Sequence, residues 1–312
     1  MNTEAHTPID RASHDRLRRL ATYASVAVAL TLIVVKAYAF LSSNSIGVLV
    51  SLLDSVLDLV ASAVIMIGVL YAQRPADRSH RFGHGKAEPL VALVQAGFIA
   101  GSAIAVSVET LNRLFDPQPV GPTGPAIQIL LFSLAVTICL VTMQSWVAAK
   151  TKSVAIQADR AHYTGDIIMT LAVIGALYLT ESSGHVGFDT GLAMLAVAFW
   201  LWNALQIGYR AFHMLLDHEL PKDVRQRIIE IVTAHAQADD LHDLRTRTDG
   251  TTLFIEFHLE MDGAMTIAAA HKVTDALEAD LFTAFPNAEI IIHQEPAGID
   301  DERLDQRLGR HQ

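Results

Sequence analysis

The chain has 312 residues, of which 51% are hydrophobic and 18% charged, and its mean hydropathy is +0.33. That is more apolar side chain than a water-soluble core consumes, so a disordered chain and a basic nucleic-acid binder are excluded and a lipid-embedded protein is left. The net charge of −10 averages two unlike halves, and the single cysteine, Cys139, excludes an internal disulfide framework and any zinc site built mainly from thiolates.

Residues 1–19 are polar and read as a cytosolic tail; the apolar run behind them is too long for a cleavable signal. Requiring about 20 apolar residues per span gives six membrane helices, at 20–41, 47–71, 89–115, 126–149, 154–180 and 188–209. Asp159, Arg160, His162 and Asp166 crowd the first half of the fifth. Basic residues gather on one side: Arg11, Arg16, Arg18 and Arg19 before the first span, Arg74, Arg78, Arg81 and Lys86 after the second, Lys150 and Lys152 after the fourth, and Arg210 after the sixth. The other side offers only Arg113, so the positive-inside rule predicts cytosolic termini. Pro117, Pro119, Gly121, Pro122, Gly124 and Pro125 mark an outer loop.

From residue 210 the composition becomes that of a soluble, acidic domain reaching to about 296. Helical spacing is predicted over 221–236 and 266–285, and strands over 242–248, 251–261 and 288–293. Asp249 and Gly250 signal a hairpin between the first two strands. The order αββαβ predicts a small α+β sandwich with helices on one sheet face. The polar stretch 297–312 is expected to fray.

The chemistry lies in charges where lipid forbids them. Asp54 and Asp58 stand four residues apart in the second span, and His162 and Asp166 do so in the fifth, so each pair shares one helical face. An aspartate at the centre of a span costs about 3 kcal/mol, and the three together cost about 9 kcal/mol, comparable to the stability of a whole domain. Lys36 is the one cation at matching depth and cannot neutralise all three. A divalent ion can: four nitrogen and oxygen donors from two helices fit tetrahedral Zn²⁺, and with neutral histidine the set carries −3. The alternative is a structural polar cluster or a proton relay without metal. Gln95, Glu109 and Asp189 are weaker candidates.

Asp77, His80 and His84 form a possible second metal set in the loop after the second span, although polar loops also carry histidine without metal. In the soluble half His242, His258, His271, His293 and Glu295 are spread over strands and a helix, and spacing alone leaves core or sheet-surface histidines as the simpler account. His213 and His218 read as surface residues, and Cys139 as a small apolar packing residue.

The stretches SLLDSVLDLVAS, PADRSHRFGHGKAEPLVAL, ADRAHYTGD, LLDHELP, HDLRTR, HLEM and IIHQEP, in this order between about 20 and 296, resemble the cation diffusion facilitator family, and its bacterial zinc and ferrous-iron efflux members in particular. The resemblance implies a homodimer of six-span protomers shaped as an inverted V, in the bacterial inner membrane, with a cytosolic metallochaperone-like αββαβ domain. It implies Asp54, Asp58, His162 and Asp166 as the transport site and Asp77, His80 and His84 as a loop site. His242, His258, His271, His293 and Glu295 take the part of a paired metal site at the cytosolic dimer interface, and Lys86 and Asp217 that of an interlocking salt bridge at the domain junction. Glu295 departs from the pattern, whose nearest members carry aspartate there.

The function expected is export of Zn²⁺, with Fe²⁺ and Cd²⁺ as further candidates, driven by proton antiport. Zinc is cargo and a structural or regulatory ion; no other cofactor and no nucleic acid is expected. Protons compete with the ion for its ligands, and a histidine of ordinary pKa about 6.5 exchanges one across the physiological range. No GxxxxGK[ST] nucleotide motif is present. A metalloenzyme would need an open zinc position and a general base, and there is no HExxH. A metal sensor would leave the intramembrane quartet without a purpose.

Overall fold

The computed structural model describes residues 8–43, 46–115, 124–183, 187–298, 303, 304 and 306; within the long helices some side chains, including those of Asp54, Glu109 and Asp189, lie outside the described set. Residues 14–212 form one compact unit and residues 213–312 belong to another.

The first unit is built from α1 (Pro8–Ser43), α2 (Ile46–Ala72), α3 (Ala87–Phe115), α4 (Gly124–Thr151), α5 (Val154–Ser183) and α6 (Gly187–Leu215). Each expected span falls inside one of these helices. At 27 to 36 residues and about 1.5 Å per residue, every helix exceeds the roughly 30 Å of a hydrocarbon core. Among the described residues, the segments Ala12–Tyr38, Ser55–Ala72, Ala87–Val108 and Leu131–Thr151 are long and apolar enough to cross it; many side chains of α5 and α6 lie outside the described set. The expected tail proves to be helical from Pro8, a residue suited to a first helical turn because it has no N–H to satisfy. The outer loop at 116–123 lies outside the described residues.

Small residues bring these helices together, as membrane packing requires. A Cβ at Gly68 would stand 2.3 Å from Val91, and one at Gly165 would stand 1.3 Å from Trp200 Nε1, so α3 and α6 approach their neighbours through missing side chains. Ala21, Ile65, Val69, Val147, Ala148, Ala155 and Ile156 form the buried apolar cluster. Large apolar residues such as Val34, Leu57, Ile67 and Leu205 point outward, as they must in lipid. Cys139 is exposed on α4 and is therefore not the packing residue expected of it.

Polar groups inside the bundle are tied in pairs and threes. Ser25 Oγ donates to Asp159 Oδ2 at 2.6 Å and Gln144 Nε2 donates to the same oxygen at 2.8 Å. Asp159, fully buried, is thus held by α1 and α4 and belongs to the scaffold. Arg18 spans α1, α3 and α4, donating to Glu88 Oε2 at 3.3 Å and to the Thr151 carbonyl at 3.0 Å, where the end of α4 leaves an acceptor open.

The second unit follows the order α7 (Lys222–Thr233), β1 (Asp240–Thr248), β2 (Leu253–Met261), α8 (Ile267–Ala284) and β3 (Ala288–Pro296), the αββαβ expected. The strands lie in the order β1, β2, β3, with β1 antiparallel and β3 parallel to the central β2. Alternation on β2 sends Ile255, Phe257, Leu259 and Met261 into a core with Ile228 and Val232 of α7 and Val273, Leu277 and Leu281 of α8. The opposite face carries His258 and Glu260. Thr266 caps α8, its side chain accepting from the Ala269 N–H.

Two details depart from the local sequence reading. The hairpin loop is four residues, Asp249 to Thr252, because Thr248 pairs with Leu253 and Asp249 Oδ1 accepts from the backbone N–H of Thr251 and Thr252. Gly250, at φ +95°, supplies the left-handed residue this turn needs. The second detail is a shift of register between His242 and Arg245, with Asp243 at φ +52°, which bends β1 just after His242.

Candidate metal sites

Three of the four intramembrane ligands expected are brought together. His162 Nε2 lies 2.9 Å from Asp58 Oδ1 and 3.9 Å from Asp166 Oδ2. Two donors bound tetrahedrally to one Zn²⁺ at about 2.0–2.1 Å stand about 3.3 Å apart, and these two distances bracket that edge. Asp58 and His162 are buried, and Asp58 and Asp166 line a cavity of about 120 Å³ with Lys36, Thr137 and Thr170. Lys36 Nζ donates to Ser55 Oγ at 2.7 Å. Directly beneath the pair, Ser62 Oγ and Tyr163 Oη are 2.8 Å apart and tie α2 to α5. The helix period explains the convergence: Asp58 with Ser62, and His162 with Asp166, each recur after four residues and face the same seam. Asp54 is on α2 one turn earlier, but its side chain lies outside the described residues, as do Glu109 and Asp189. Gln95 is fully buried on α3, with neither amide atom hydrogen-bonded.

The loop set is also assembled. Asp77 Oδ1 accepts from the backbone N–H groups of Ser79 (2.8 Å) and His80 (2.7 Å), closing an Asx turn. The turn brings His80 Nδ1 to 3.2 Å and His84 Nε2 to 3.4 Å from the Asp77 carboxylate. Gly83, at φ +84°, returns the chain toward α3. The His80 and His84 rings are 4.6 Å apart, and His84 is buried against Tyr71.

Hydrogen bonds from the backbone N–H of His80 first and Ser79 second hold the Asp77 carboxyl below its ordinary pKa. A lowered pKa stabilises the turn above the unfolded value, and that contribution disappears as the pH falls through the lower folded value. Amide exchange at Ser79 and His80 is therefore expected to stay slow from neutral pH down to about pH 4 and to speed up below it. Asp77→Ala is expected to accelerate both amides at neutral pH and to make little difference once the carboxyl is protonated, measured by hydrogen exchange with mass spectrometry; unchanged protection at neutral pH would show that the carboxylate does not hold the loop.

On the sheet, the register itself builds the cluster. His242 of β1 pairs with His258 of β2, which pairs with His293 of β3, so three imidazoles stand in a row. Ring centroids are 5.2 Å apart for the first pair and 4.6 Å for the second. Glu295, two residues further along β3, reaches all three: Oε1 lies 2.7 Å from His258 Nδ1 and 3.3 Å from His293 Nε2, and Oε2 lies 3.3 Å from His242 Nε2. His271 is not brought into this group; it is exposed on α8 beside Asp275, 3.7 Å away. The His213 and His218 rings meet edge to face at 4.8 Å. Asp217, with φ +56°, lies 3.8 Å from Arg247, and Lys86 belongs to the other unit.

One group was not anticipated. Asp240, His242 and Glu260 offer ligand atoms within 4.8 Å of one another. The sequence signal was present in the alternation Asp240, His242 and His258, Glu260, but only the strand register makes those pairs face each other.

Comparison with known proteins places the chain in a family. A profile described as the cation efflux transmembrane domain matches residues 22–216, and one described as the cation efflux protein cytoplasmic domain matches residues 220–297. The chain is 40% identical over 287 residues to the cation-efflux pump FieF of Escherichia fergusonii, covering 92% of this chain and 95% of that one. Its identity to the FieF of Klebsiella pneumoniae, with the same coverage, is also 40%. Among solved structures, the metal-bound C-terminal domain of the CzcD transporter from Thermotoga maritima is 27% identical and covers 26% of this chain and all of its own, with a TM-score of 0.25.

Proposed function

We propose that this chain, which belongs to the cation efflux (cation diffusion facilitator) family, exports Zn²⁺ from the cytosol in exchange for protons. Family membership makes it a multi-pass membrane transporter of cations and not an enzyme. The finer reading rests on one observation, the convergence of Asp58, His162 and Asp166 from α2 and α5, with the two carboxylates lining a cavity among membrane helices. Asp54, one turn from Asp58, is the natural fourth ligand. One imidazole among carboxylates favours Zn²⁺ over manganese, with Fe²⁺ and Cd²⁺ as secondary cargo.

Proton coupling follows from the bonding of His162. Its Nε2 is hydrogen-bonded to Asp58 Oδ1 at 2.9 Å, so an ion that takes both atoms as ligands must displace the proton they share. Entry of cargo releases a proton and rebinding of a proton expels cargo, which is the exchange an antiporter needs. The loop set and the row of sheet histidines with Glu295 act as cytosolic metal sites in this reading, with His271 reaching its metal only at the interface of a homodimer. Lys86 and Asp217 serve as the junction ion pair. The termini face the cytosol and the membrane is the bacterial inner membrane.

The test is flux of Zn²⁺, Fe²⁺, Cd²⁺ and Mn²⁺ into proteoliposomes holding the purified full chain under an imposed pH gradient. Zinc is expected to move fastest and to dissipate the gradient as it moves. Zinc flux that ignores collapse of the gradient would remove the antiport reading while leaving the transporter.

A further inference from the structure

The face of the sheet that carries the histidines holds a second row. Two residues along from His242, His258 and His293, the same register sets Asp240, Glu260 and Glu295 side by side. Carboxylates directly opposite one another repel, so the row requires cations. Glu295 has its three imidazoles. Asp240 and Glu260 have Arg303: its Nη1 lies 2.8 Å from Asp240 Oδ2, and its Nη2 pairs with Glu260 Oε1. The next residue is docked as well, the Leu304 N–H donating to Asp243 Oδ2 at 2.8 Å. The stretch expected to fray thus places a guanidinium on the sheet.

Beside that guanidinium is a buried nitrogen with nothing to bond. His242 is 5% exposed; its Nε2 faces Glu295, while its Nδ1 makes no hydrogen bond and stands 3.7 Å from Glu260 Oε1. A buried nitrogen that faces the Glu260 carboxylate, with Asp240 offering a ligand atom within 4.8 Å, is a ligand geometry, and 3.7 Å is close to the roughly 3.3 Å edge of a tetrahedral zinc site. The Glu260 carboxylate is itself positioned, since Oε2 accepts from the Gly298 N–H at 3.4 Å.

We infer that Asp240, His242 and Glu260 form a further divalent-cation site, for which the Arg303 guanidinium competes. Two carboxylates balance the charge of a divalent ion, whereas one guanidinium leaves them a net charge of −1. A neutral imidazole that ligates through Nδ1 keeps its proton on Nε2, where it donates to Glu295, an outer partner of the kind that orients a metal-bound histidine. His242 can serve only one ion at a time in its neutral form, so filling this site withdraws it from the neighbouring histidine row. The site would then sense cytosolic metal against an internal cation, and Arg303 would set its threshold.

The test is direct binding of Zn²⁺ to the purified full chain by isothermal titration calorimetry, so its outcome does not depend on transport. Arg303→Ala is expected to tighten the weakest zinc event of the parental protein by about tenfold, or about 1.4 kcal/mol. Adding Asp240→Asn is expected to cancel that gain, because Asp240 belongs to neither the loop set nor the histidine row. A titration of the Arg303→Ala protein that superimposes on the parental one would overturn the site. So would a gain that survives Asp240→Asn, since the extra affinity would then arise elsewhere.

Discussion

Asp58→Ala is expected to abolish zinc transport while leaving the protein folded. The carboxylate is one of three donors that α2 and α5 bring together, and it is hydrogen-bonded to His162 Nε2. Its loss lowers the ligand charge and removes the acceptor that orients the imidazole. Loss of a supporting hydrogen bond alone costs about 10–100-fold in affinity, so deletion of a ligand that also provides such a bond should lower zinc flux by more than about 100-fold.

Stability should move the other way. A buried aspartate costs about 3 kcal/mol in the middle of a span, and alanine removes that cost. The thermal midpoint in detergent, measured in chelator, is therefore expected to hold or rise. This pairing of outcomes separates a cargo site from a structural polar cluster: a cluster held together for the fold would lose stability and keep its flux. The same result is expected for Asp54→Ala if that residue completes the set.

How much of this could be read beforehand depended on the range of the interaction. The six helices follow from hydropathy, which is a local sum, and each expected span lies within one of them. The intramembrane pairs were legible because the helix period turns a spacing of four into a shared face, and Asp58, His162 and Asp166 do converge. The sheet sites were not legible from spacing. His258 and His293 become neighbours through the parallel register of β2 and β3, which the α8 crossover and its packing set, and no short window of sequence encodes it. Arg303 looked like part of a solvated tail for the same reason: its partners lie on β1 and β2. Arg18 was counted as one charge among those that orient the protein, but a charge count carries no depth. The structure shows that this one is buried at 4% exposure.

That burial yields the second large effect. Arg18 and Glu88 are 5% and 1% exposed in their side chains, and Glu88 Oε1 has no hydrogen-bond partner, so the carboxylate depends on the guanidinium for its charge balance. Arg18→Ala is expected to destabilise the helix bundle by about 3–5 kcal/mol, the range for a buried pair that loses one member. Most of that is the penalty on the abandoned Glu88, not the worth of the pair. Arg18→Met combined with Glu88→Leu removes both charges at similar volume and should recover all but about 1–2 kcal/mol, the residue being the Thr151 carbonyl that loses its donor. Denaturant unfolding in mixed micelles of the parental protein, Arg18→Met, Glu88→Leu and the double variant measures the difference. Effects that simply add would mean that water or lipid headgroups already satisfy Glu88, and that Arg18 ties α1 to the ends of α3 and α4 without carrying their charge.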